Sequence, residues 1–504
     1  MQCGKNRRRA VVIGGSMAGL FAARVLADVY EEVIIAERDE LPPGPDHRPG
    51  TPQAYHPHRL LPRGKIILET LFPGYMEDLL GYGAFAREGK PILLRSPYGT
   101  LRVPSPPDAG FSRTLLEWVC RERVRQIANV HFLMRHEAAG LEMNPDHTAV
   151  TGVWLRERGQ PDASLAAADL VVDASGRNSK LPLWLGLRGL EVPEPERLKA
   201  SLGYATRTYR LPPQSADDWS VILIEGNPGE GIGTGVFGPI EQGKAEAVLY
   251  YAGGARYPAA DSSEFEAQFS QLLDPMLSGM LKELEPLGPP RGFRIAECRR
   301  QRYDRMEGWP SGLLAIGDAL CDFDPVYGQG ITTAAIGAEV LAAHLGGKPA
   351  VSGTGFERGV LGAMQKELEP AWWLTAAADL GWAGVEFTGP YPRAGMDFAR
   401  KFIGCYRAAA VGQGRVEWLE SYMQVTGLMR SPRDLLNERM IRVALAEEPS
   451  GRREALLDEF GIGEEGELEA FLDMAIPAFS VPMMANSGAP RDSNPNLGRE
   501  SGAC

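Results

Sequence analysis

The chain has 504 residues, enough for two or three domains with large hydrophobic cores. Hydrophobic residues make up 44% and charged residues 23%, as in an ordinary globular protein, and the net charge of −12 argues against a nucleic-acid-binding surface. Six scattered cysteines form no C-x-x-C pair, which argues against zinc, iron–sulfur and disulfide frameworks and fits a reducing cytoplasm.

The N-terminus imitates a signal peptide, because Lys5 and Arg7–Arg9 precede an apolar stretch. Arg24 and Asp28 interrupt that stretch soon afterwards. No run of about 18 apolar residues occurs anywhere, so we expect no membrane span. The sequence therefore predicts a cytoplasmic protein that is not secreted.

The segment Ala10–Leu20 (AVVIGGSMAGL) predicts a buried strand, a tight turn and a helix. Gly14 and Gly15 allow the turn, and Gly19 lets the helix lie close to the sheet. Ser16 stands where the usual dinucleotide pattern has its second glycine. The helix would aim its N-terminal N–H groups at a pyrophosphate, although a glycine-rich turn also occurs as a plain packing site.

A second predicted strand, Val33–Ala36, ends in Glu37. This carboxylate follows the glycine-rich turn at about the distance expected of a ribose-binding residue. It also argues for an adenosine without a 2′-phosphate. Together with the turn, Glu37 predicts a dinucleotide site.

The segment Leu170–Lys180 (LVVDASGRNSK) predicts another buried strand that ends in a loop. Asp173 and Arg177 in this loop are expected to stabilise it near the phosphates of the dinucleotide. The alternative is that these two residues form a structural ion pair.

Two segments alternate with the period of two that is typical of antiparallel strands. Residues 91–104 predict a hairpin that turns at Tyr98 and Gly99. Within residues 200–298 the predicted strands are Gly203–Arg210, Val221–Glu225, Thr234–Phe237 and Ala245–Tyr251. We expect them to form a sheet that covers one side of a substrate pocket.

The segment Leu313–Thr333 decides which dinucleotide binds. Its strand ends in Gly317 and Asp318, and a carboxylate there is well placed to bond the ribityl chain of a flavin. Gly328 and Gly330 permit close approach of the backbone to a flat ring. A strand–loop–helix turn with a capping aspartate is the alternative. Taken with the two earlier segments, this one predicts FAD.

From about residue 356 to 474 the signals are mostly helical, and tryptophans lie on these helices. Trp372 and Trp373 are typical of a core, although lining of a pocket is compatible with their pattern. The end of the chain is rich in Asn, Ser, Gly and Pro and predicts disorder.

We therefore predict an α/β fold with a Rossmann-like FAD-binding domain, an inserted antiparallel β-sheet substrate domain and a C-terminal helical region. The predicted boundaries are 8–75, 111–198 and 299–350 for the FAD-binding domain, 76–110 and 199–298 for the substrate domain, 351–480 for the helical domain and 481–504 for a disordered tail.

The order of GGSMAG, DASGR and GDALCDFDPVYGQG resembles the FAD-dependent monooxygenases of the para-hydroxybenzoate hydroxylase fold. A closer resemblance is to the flavin epoxidases of polyether-antibiotic biosynthesis, of the lasalocid and monensin type. It rests on residues 48–58 (RPGTPQAYHPH), 112–118 (SRTLLEW), 302–310 (RYDRMEGWP) and 371–375 (AWWLT), with Asp379. The resemblance extends over most of the chain.

The resemblance implies roles for residues outside the three segments. In that family an arginine at the position of Arg113 contacts the cofactor, and the loop of Arg48 and Gln53 lies beside the flavin ring and ribityl chain. A surface arginine and a polar surface loop are the alternatives. His56 and His58 alternate as two zinc ligands would, but no third ligand is evident, so we expect no metal site.

The complete predicted FAD-binding set is Gly14, Gly15, Ser16, Met17, Ala18, Gly19, Glu37, Arg38, Arg48, Gln53, Arg113, Asp173, Gly317, Asp318, Pro325, Gly328, Gln329, Gly330 and Ile331. Beyond the flavin no catalytic residue is required. The predicted substrate pocket takes Tyr327, Gln53, Trp372 and Trp373.

The chain has one dinucleotide turn and no redox C-x-x-x-x-C pair, unlike dehydrogenases of the glutathione reductase type. Electrons are therefore expected from transiently bound NADPH or NADH, or from a separate flavin reductase. Reduced flavin reacts with O2 to a C4a-hydroperoxide, whose distal oxygen is attacked by an alkene or an electron-rich ring.

No histidine or tyrosine can be assigned as the base that a phenol needs, which favours an alkene. We predict epoxidation of a large apolar secondary metabolite, a polyketide or isoprenoid as in antibiotic biosynthesis. The alternatives are an aromatic-ring hydroxylase, a geranylgeranyl-type prenyl reductase and a non-catalytic flavin- or NAD-binding sensor. A flavin halogenase ranks below these, because the Trp-x-Trp-x-Ile-Pro segment and the lysine setting of such enzymes are absent.

Overall fold

The computed structural model describes residues 8–105, 107–348, 355–463 and 466–483. The predicted disordered tail lies outside the described residues from residue 484 onwards. Within the described ranges, no helix combines the length and the apolar character that crossing a membrane requires.

The central sheet has five parallel strands, in the spatial order Leu313–Ala315, Leu170–Asp173, Arg9–Ile13, Glu32–Glu37 and Val130–Met134. Most residues of the three strands on one side are fully buried, as expected of parallel strands covered on both faces. These three strands come from the three segments that predicted the dinucleotide. Their carboxyl ends lie side by side, so the loops that follow them converge.

A sheet of eight strands forms the second layer. Its order is Glu285–Pro286, Leu202–Arg210, Lys244–Tyr251, Thr234–Ile240, Val221–Ile224, Ile92–Ser96 and Gly99–Val103, with Arg291–Ile295 also pairing with Leu202–Arg210. The predicted hairpin therefore joins the predicted inserted strands in one sheet. The sheet is antiparallel except where Val221–Ile224 runs parallel to Ile92–Ser96.

Smaller sheets complete the β structure of the described chain. They consist of His136–Met143, Val150–Glu157 and Ala163–Ala167; of Cys298–Arg300, Glu196–Lys199 and Glu386–Thr388; and of Phe85–Ala86 with Ala109–Gly110.

Helices cover the parallel sheet and fill the C-terminal region. In chain order they are Met17–Leu26, Pro62–Leu71, Tyr75–Gly81, Arg113–Arg125, Leu181–Leu187, Phe265–Gln268, Met276–Lys282, Gly330–Leu345, Phe356–Asp379, Arg393–Gly412, Val416–Thr426, Glu438–Leu445, Ser450–Glu459 and Glu467–Ala475. Met17–Leu26 packs against Gly330–Leu345, and both begin at the carboxyl edge of the parallel sheet. The α/β fold with an inserted sheet and C-terminal helices is thus the fold that the sequence predicts.

Candidate active site

A cavity of about 1610 Å³ opens between the carboxyl edge of the parallel sheet, one face of the eight-stranded sheet and the C-terminal helices. Pockets for single small ligands usually measure roughly 300–1,000 Å³. This cavity therefore has room for a dinucleotide and a second molecule. Most of the predicted FAD-binding residues line it, except Gly15, Gly19 and Asp173.

The glycine-rich turn is packed so tightly that side chains are excluded. Gly14 has a φ of +103°, and a Cβ added to it would lie 2.6 Å from the backbone oxygen of Ala174. A Cβ on Gly19 would lie 1.9 Å from the backbone oxygen of Gly14. The Met17–Leu26 helix that follows has no acidic residue in its first turn and no capping side chain. Its positive end is therefore free to bind an anion in the cavity.

Glu37 is held at the edge of the turn by two backbone amides. Its Oε2 accepts a hydrogen bond from the Gly15 amide at 2.8 Å, and its Oε1 accepts one from the Asp39 amide at 2.9 Å. Glu37 lines the cavity beside Arg38. This carboxylate is positioned to accept hydrogen bonds from hydroxyl groups of a bound ligand.

A buried group of charges, which we call the Glu117 cluster, lies beside the turn and comprises Ser16, Asp39, Arg48, Arg113 and Glu117. Arg48 donates from Nε to Glu117 Oε1 at 3.0 Å and from Nη1 to Asp39 Oδ2 at 2.9 Å. The Arg113 guanidinium lies 2.7 Å from Glu117 Oε2 and donates to Ser16 Oγ at 2.8 Å. Ser16 in turn donates to Glu117 Oε2 at 2.9 Å.

Burial alone would raise the pKa of the Glu117 carboxyl, but Arg113 and Arg48 outweigh burial and lower that pKa to about 2. Glu117 is therefore ionised at all ordinary pH values. It was not singled out from the sequence, although its position four residues after Arg113 on a predicted helix is a signal for an ion pair.

The third segment places a second anion-binding feature in the cavity. Gly317 has a φ of +63°, and a Cβ added to it would lie 2.6 Å from the Ala18 Cβ. The loop that contains Gly317 therefore packs directly against the first glycine-rich turn. The Asp318 carboxylate lines the cavity and has no hydrogen-bond partner among the described side chains. The N-terminus of the Gly330–Leu345 helix lines the cavity. Its first turn has no acidic residue and no capping side chain, so its positive end is also available to an anion.

Asp173 stabilises the loop that follows its strand and does not line the cavity. Its carboxylate accepts hydrogen bonds from the Ser175 amide at 2.9 Å and from the Ser179 hydroxyl at 2.5 Å, and the residue is fully buried. Arg177 pairs instead with Asp322 at 2.6 Å. The ion pair between Asp173 and Arg177 that the sequence left open is therefore not formed.

The predicted pocket residues separate into two pairs. Gln53 and Tyr327 line the cavity, whereas Trp372 and Trp373 do not. Both tryptophans are fully buried, and the ring of Trp372 lies against Phe323 and Phe387. They belong to the core between the parallel sheet and the C-terminal helices, so their expected place in the pocket is corrected.

His56 and His58 are both neutral. Burial and, to a lesser extent, nearby arginines lower the pKa of His56 to about 4 and that of His58 to about 3. His56 Nδ1 lies 2.9 Å from Thr206 Oγ1, and His58 Nδ1 lies 2.8 Å from the His56 carbonyl oxygen. No group of three or more metal-ligating side chains converges in the described part of the chain.

Tyr327 connects the cavity to a buried pair of carboxyl groups. Its hydroxyl donates to Asp379 Oδ1 at 2.6 Å, and Asp324 Oδ1 accepts from the Val326 amide at 2.9 Å. Burial raises the pKa of Asp324, and burial together with Asp324 raises that of Asp379 well above its usual range. A proton shared by the two carboxyls would satisfy Asp324 Oδ2 and Asp379 Oδ2, which have no hydrogen-bond partner among the described residues. The sequence did not reveal this pair, although Asp379 belongs to one of its motifs.

Replacing Asp379 with asparagine tests the shared proton. The amide can accept from Tyr327 and donate to Asp324, but it takes up no proton on folding. Wild-type stability should fall as the pH rises above the unfolded pKa of about 4, because only the folded chain keeps the proton. We expect the stability of the variant relative to wild type to rise with pH between pH 4.5 and pH 8, by at most about 1.4 kcal/mol per pH unit.

Urea denaturation at both pH values measures this difference. The matched control is Asp397→Asn, at a partly exposed carboxylate that pairs with Arg393, and it should show no such gain with pH. Parallel stability curves for wild type and Asp379→Asn would contradict the shared proton.

Glu246 lies on the apolar face of the eight-stranded sheet and lines the cavity. It is buried, and its carboxyl has no hydrogen-bond partner among the residues that the structure describes. Its cross-strand neighbours are Thr208 and Gly238, and the glycine leaves space beside it. Burial, and to a lesser extent Glu241, raises the pKa of Glu246 to about 8. The cavity wall thus contains a neutral carboxylic acid that nothing in the sequence indicated.

No protein-family model matches the chain. The flavin-dependent brominase Bmp2 superimposes with a TM-score of 0.57 at 14% identity, covering 87% of this chain and 98% of that one. The p-nitrophenol 4-monooxygenase PnpA of Pseudomonas putida gives a TM-score of 0.56 at 15% identity, covering 84% and 98% of the two chains. These similarities confirm the para-hydroxybenzoate hydroxylase-like fold of FAD-dependent monooxygenases and halogenases.

Sequence similarity assigns the chain more narrowly. A curated relative is 31% identical over 388 residues, a stretch that spans 75% of this chain and 81% of the relative. That relative is Protein Rv3254 of Mycobacterium tuberculosis, and the chain described here belongs to the same family.

Proposed function

We propose that the protein is a cytoplasmic FAD-dependent monooxygenase that transfers one oxygen atom from O2 to an alkene of a large apolar metabolite. The observation that carries the proposal is one cavity in which two uncapped helix ends and the unpaired Asp318 face a predominantly apolar wall. Such a cavity suits a polar, anionic cofactor on one side and an apolar substrate on the other.

The residues present fit FAD. The turn from Gly14 to Ala18 and Arg113 would hold the pyrophosphate, because the helix end and the guanidinium both favour anions. Glu37 would bind the adenosine ribose, and Asp318 the ribityl chain. The backbone from Gly328 to Ile331 would lie against the ring, since a chain without side chains at Gly328 and Gly330 can approach closely.

Bound FAD supplies the activation of O2, for which NADPH or NADH, directly or through a flavin reductase, provides the electrons. The protein's own contribution is to position the substrate and exclude water. The aliphatic side chains Val221, Leu223, Val236 and Val248 form one wall of the cavity and favour an apolar chain. Tyr327 lines the same space, and its hydroxyl donates a hydrogen bond to Asp379 behind it.

Aromatic hydroxylation is the second candidate, and a specific observation favours it. The carboxyl pair behind Tyr327 provides a group able to exchange a proton with a phenol, which is the kind of group that sequence reasoning did not find. The resemblance to the polyether epoxidases is the reason why we rank alkene epoxidation above aromatic hydroxylation. A prenyl reductase is separated from both by its product, because reduction adds no oxygen.

The test begins with an absorbance spectrum of the purified protein, with FAD added if none is retained. The photoreduced protein is then mixed with 18O2 and either a polyene or a phenol, and the products are examined by mass spectrometry. Labelled epoxide supports the proposal, and labelled catechol supports the second candidate. Bound flavin without label in any product contradicts both, and failure to bind FAD contradicts the cofactor assignment.

Gly330→Leu is expected to lower FAD affinity at least 100-fold without unfolding the protein. A Cβ at Gly330 meets no atom within 4 Å, so the leucine would enter the open cavity where the ring is proposed to bind. Gly186→Leu is the matched control, since Gly186 is also open but lies outside the cavity. Flavin fluorescence quenching measures both affinities, and unchanged FAD binding by Gly330→Leu would contradict the assigned ring position.

A further inference from the structure

Three cationic side chains lie around one carboxylate in the cavity, and two of them pair with it. Lys65 Nζ lies 2.8 Å from Asp108 Oδ2, and Arg87 Nη1 lies 3.3 Å from the same oxygen. Arg59 has no carboxylate within 4 Å among the described residues, although Asp108 and Arg87 are its charged neighbours. We call these four residues the basic pocket. All four line the cavity, so it carries an excess of two positive charges.

Arg59 is the least compensated member of the basic pocket. Its stem lies against Gly328, where an added Cβ would be 2.7 Å from the Arg59 Cβ. The Arg59 side chain is exposed to the open cavity, so its charge is available to a ligand of opposite charge.

Other arginines along the same cavity differ in this respect. Arg48 and Arg113 are paired with Glu117, Arg177 with Asp322, and Arg407 with Glu225. Most arginines of the cavity wall are thus paired with a carboxylate, whereas Arg38 and Arg59 have none within 4 Å among the described residues. Of these two, Arg59 lies where Lys65 and Arg87 already outnumber their shared carboxylate.

The surroundings of the basic pocket are apolar. Ile92, Leu94, Leu101 and Val103 of the hairpin line the same cavity. A ligand that neutralises Arg59 would therefore combine an anionic head group with an apolar body.

We propose that the basic pocket binds the anionic head group, a carboxylate or a phosphate, of an amphipathic substrate whose apolar chain lies against the eight-stranded sheet. This inference rests on the proposed function and narrows its substrate class from apolar alkenes to alkenes with an acidic end. Arg59 acts as a specificity-determining residue, because it distinguishes an acid from its neutral analogue and takes no part in oxygen transfer.

Isothermal titration calorimetry with three probes tests the pocket: 4-decenoate, its primary amide and decyl phosphate. Wild type should bind 4-decenoate at least tenfold more tightly than the amide. Arg59→Gln should remove that preference and leave amide binding within twofold, and Arg59→Lys should restore part of it. Decyl phosphate binding tighter than decenoate would make phosphate the preferred head group, and weaker binding would make it carboxylate.

The matched control is Arg452→Gln, which alters another arginine of the cavity wall that is 71% exposed and pairs with Glu448. It should keep the full preference for the acid. Arg59→Gln should unfold at the same temperature as wild type, since the Arg59 side chain is exposed and has no carboxylate within 4 Å among the described residues. Equal binding of acid and amide by wild type would overturn the proposal, as would displacement of decenoate by NADPH.

The calorimetric result is independent of flavin chemistry, so the two proposals fail separately. A protein that prefers the acid but binds no FAD contradicts the proposed function and supports the basic pocket. A protein that transfers 18O but binds acid and amide equally supports the proposed function and contradicts the basic pocket.

Discussion

Glu117→Gln is expected to lower the free energy of unfolding at pH 7 by about 3–5 kcal/mol, the usual cost of removing one partner from a buried ion pair. The glutamine fills the same space but leaves Arg48 and Arg113 without their shared counter-charge, and both guanidiniums are almost fully buried. Chemical denaturation at pH 7 measures the loss. Glu122→Gln on the same helix is the control, since Glu122 is 36% exposed and its loss should cost less than about 1 kcal/mol.

The pH dependence gives this prediction a second readout. The pKa of Glu117 is lowered to about 2 in the folded protein from its usual 4.5, so its contribution is fully present above pH 4.5 and is lost as the pH falls towards 2. Wild type should therefore lose its advantage over Glu117→Gln across that window. An advantage that persists unchanged at pH 2.5 would contradict the assigned ion pairs.

Glu246→Gln is expected to act in the opposite direction and stabilise the protein at pH 8. The folded chain keeps this carboxyl protonated up to about pH 8, whereas the unfolded chain ionises near 4.5. Wild-type stability should fall between these values by about 1.4 kcal/mol per pH unit, and the glutamine removes that slope. The variant should therefore gain up to about 4 kcal/mol relative to wild type between pH 5 and pH 8.

Thermal and urea unfolding at pH 5, 6.5 and 8 measure the gain. Glu285→Gln is the control, because Glu285 is 62% exposed and its removal should not change the slope. If Glu246→Gln is less stable than wild type at pH 8, the Glu246 carboxyl is ionised and paired in the dissolved protein, which would contradict its assignment as a neutral acid.

The parallel sheet and its turns could be predicted because their determinants are local. A run of β-branched residues that ends in glycine predicts a buried strand and a tight turn without knowledge of the rest of the chain. Gly14, Gly317 and Gly328 all have positive φ, as such turns require.

The charge networks could not be predicted, because their members are far apart in sequence. Ser16 and Glu117 are 101 residues apart, and Tyr327 and Asp379 are 52 apart. Glu246 became notable only when the register of its strand placed it opposite Gly238. The place of Trp372 and Trp373 stayed open between core and pocket for a related reason, since helical spacing does not distinguish a helix face towards a cavity from one towards a core.

The strands of the parallel sheet come from distant parts of the chain, which has a consequence for synthesis in the cell. Leu170–Asp173 takes its two neighbours from strands near residues 9–13 and 313–315, so the sheet cannot be completed until the ribosome has released more than 315 residues. At about 5–20 residues per second, this takes roughly 15 to 60 s. During that time the apolar strand Arg9–Ile13 has only part of its final surroundings. We therefore expect the nascent chain to depend on chaperones, and truncation before residue 313 to give aggregates rather than a smaller folded domain.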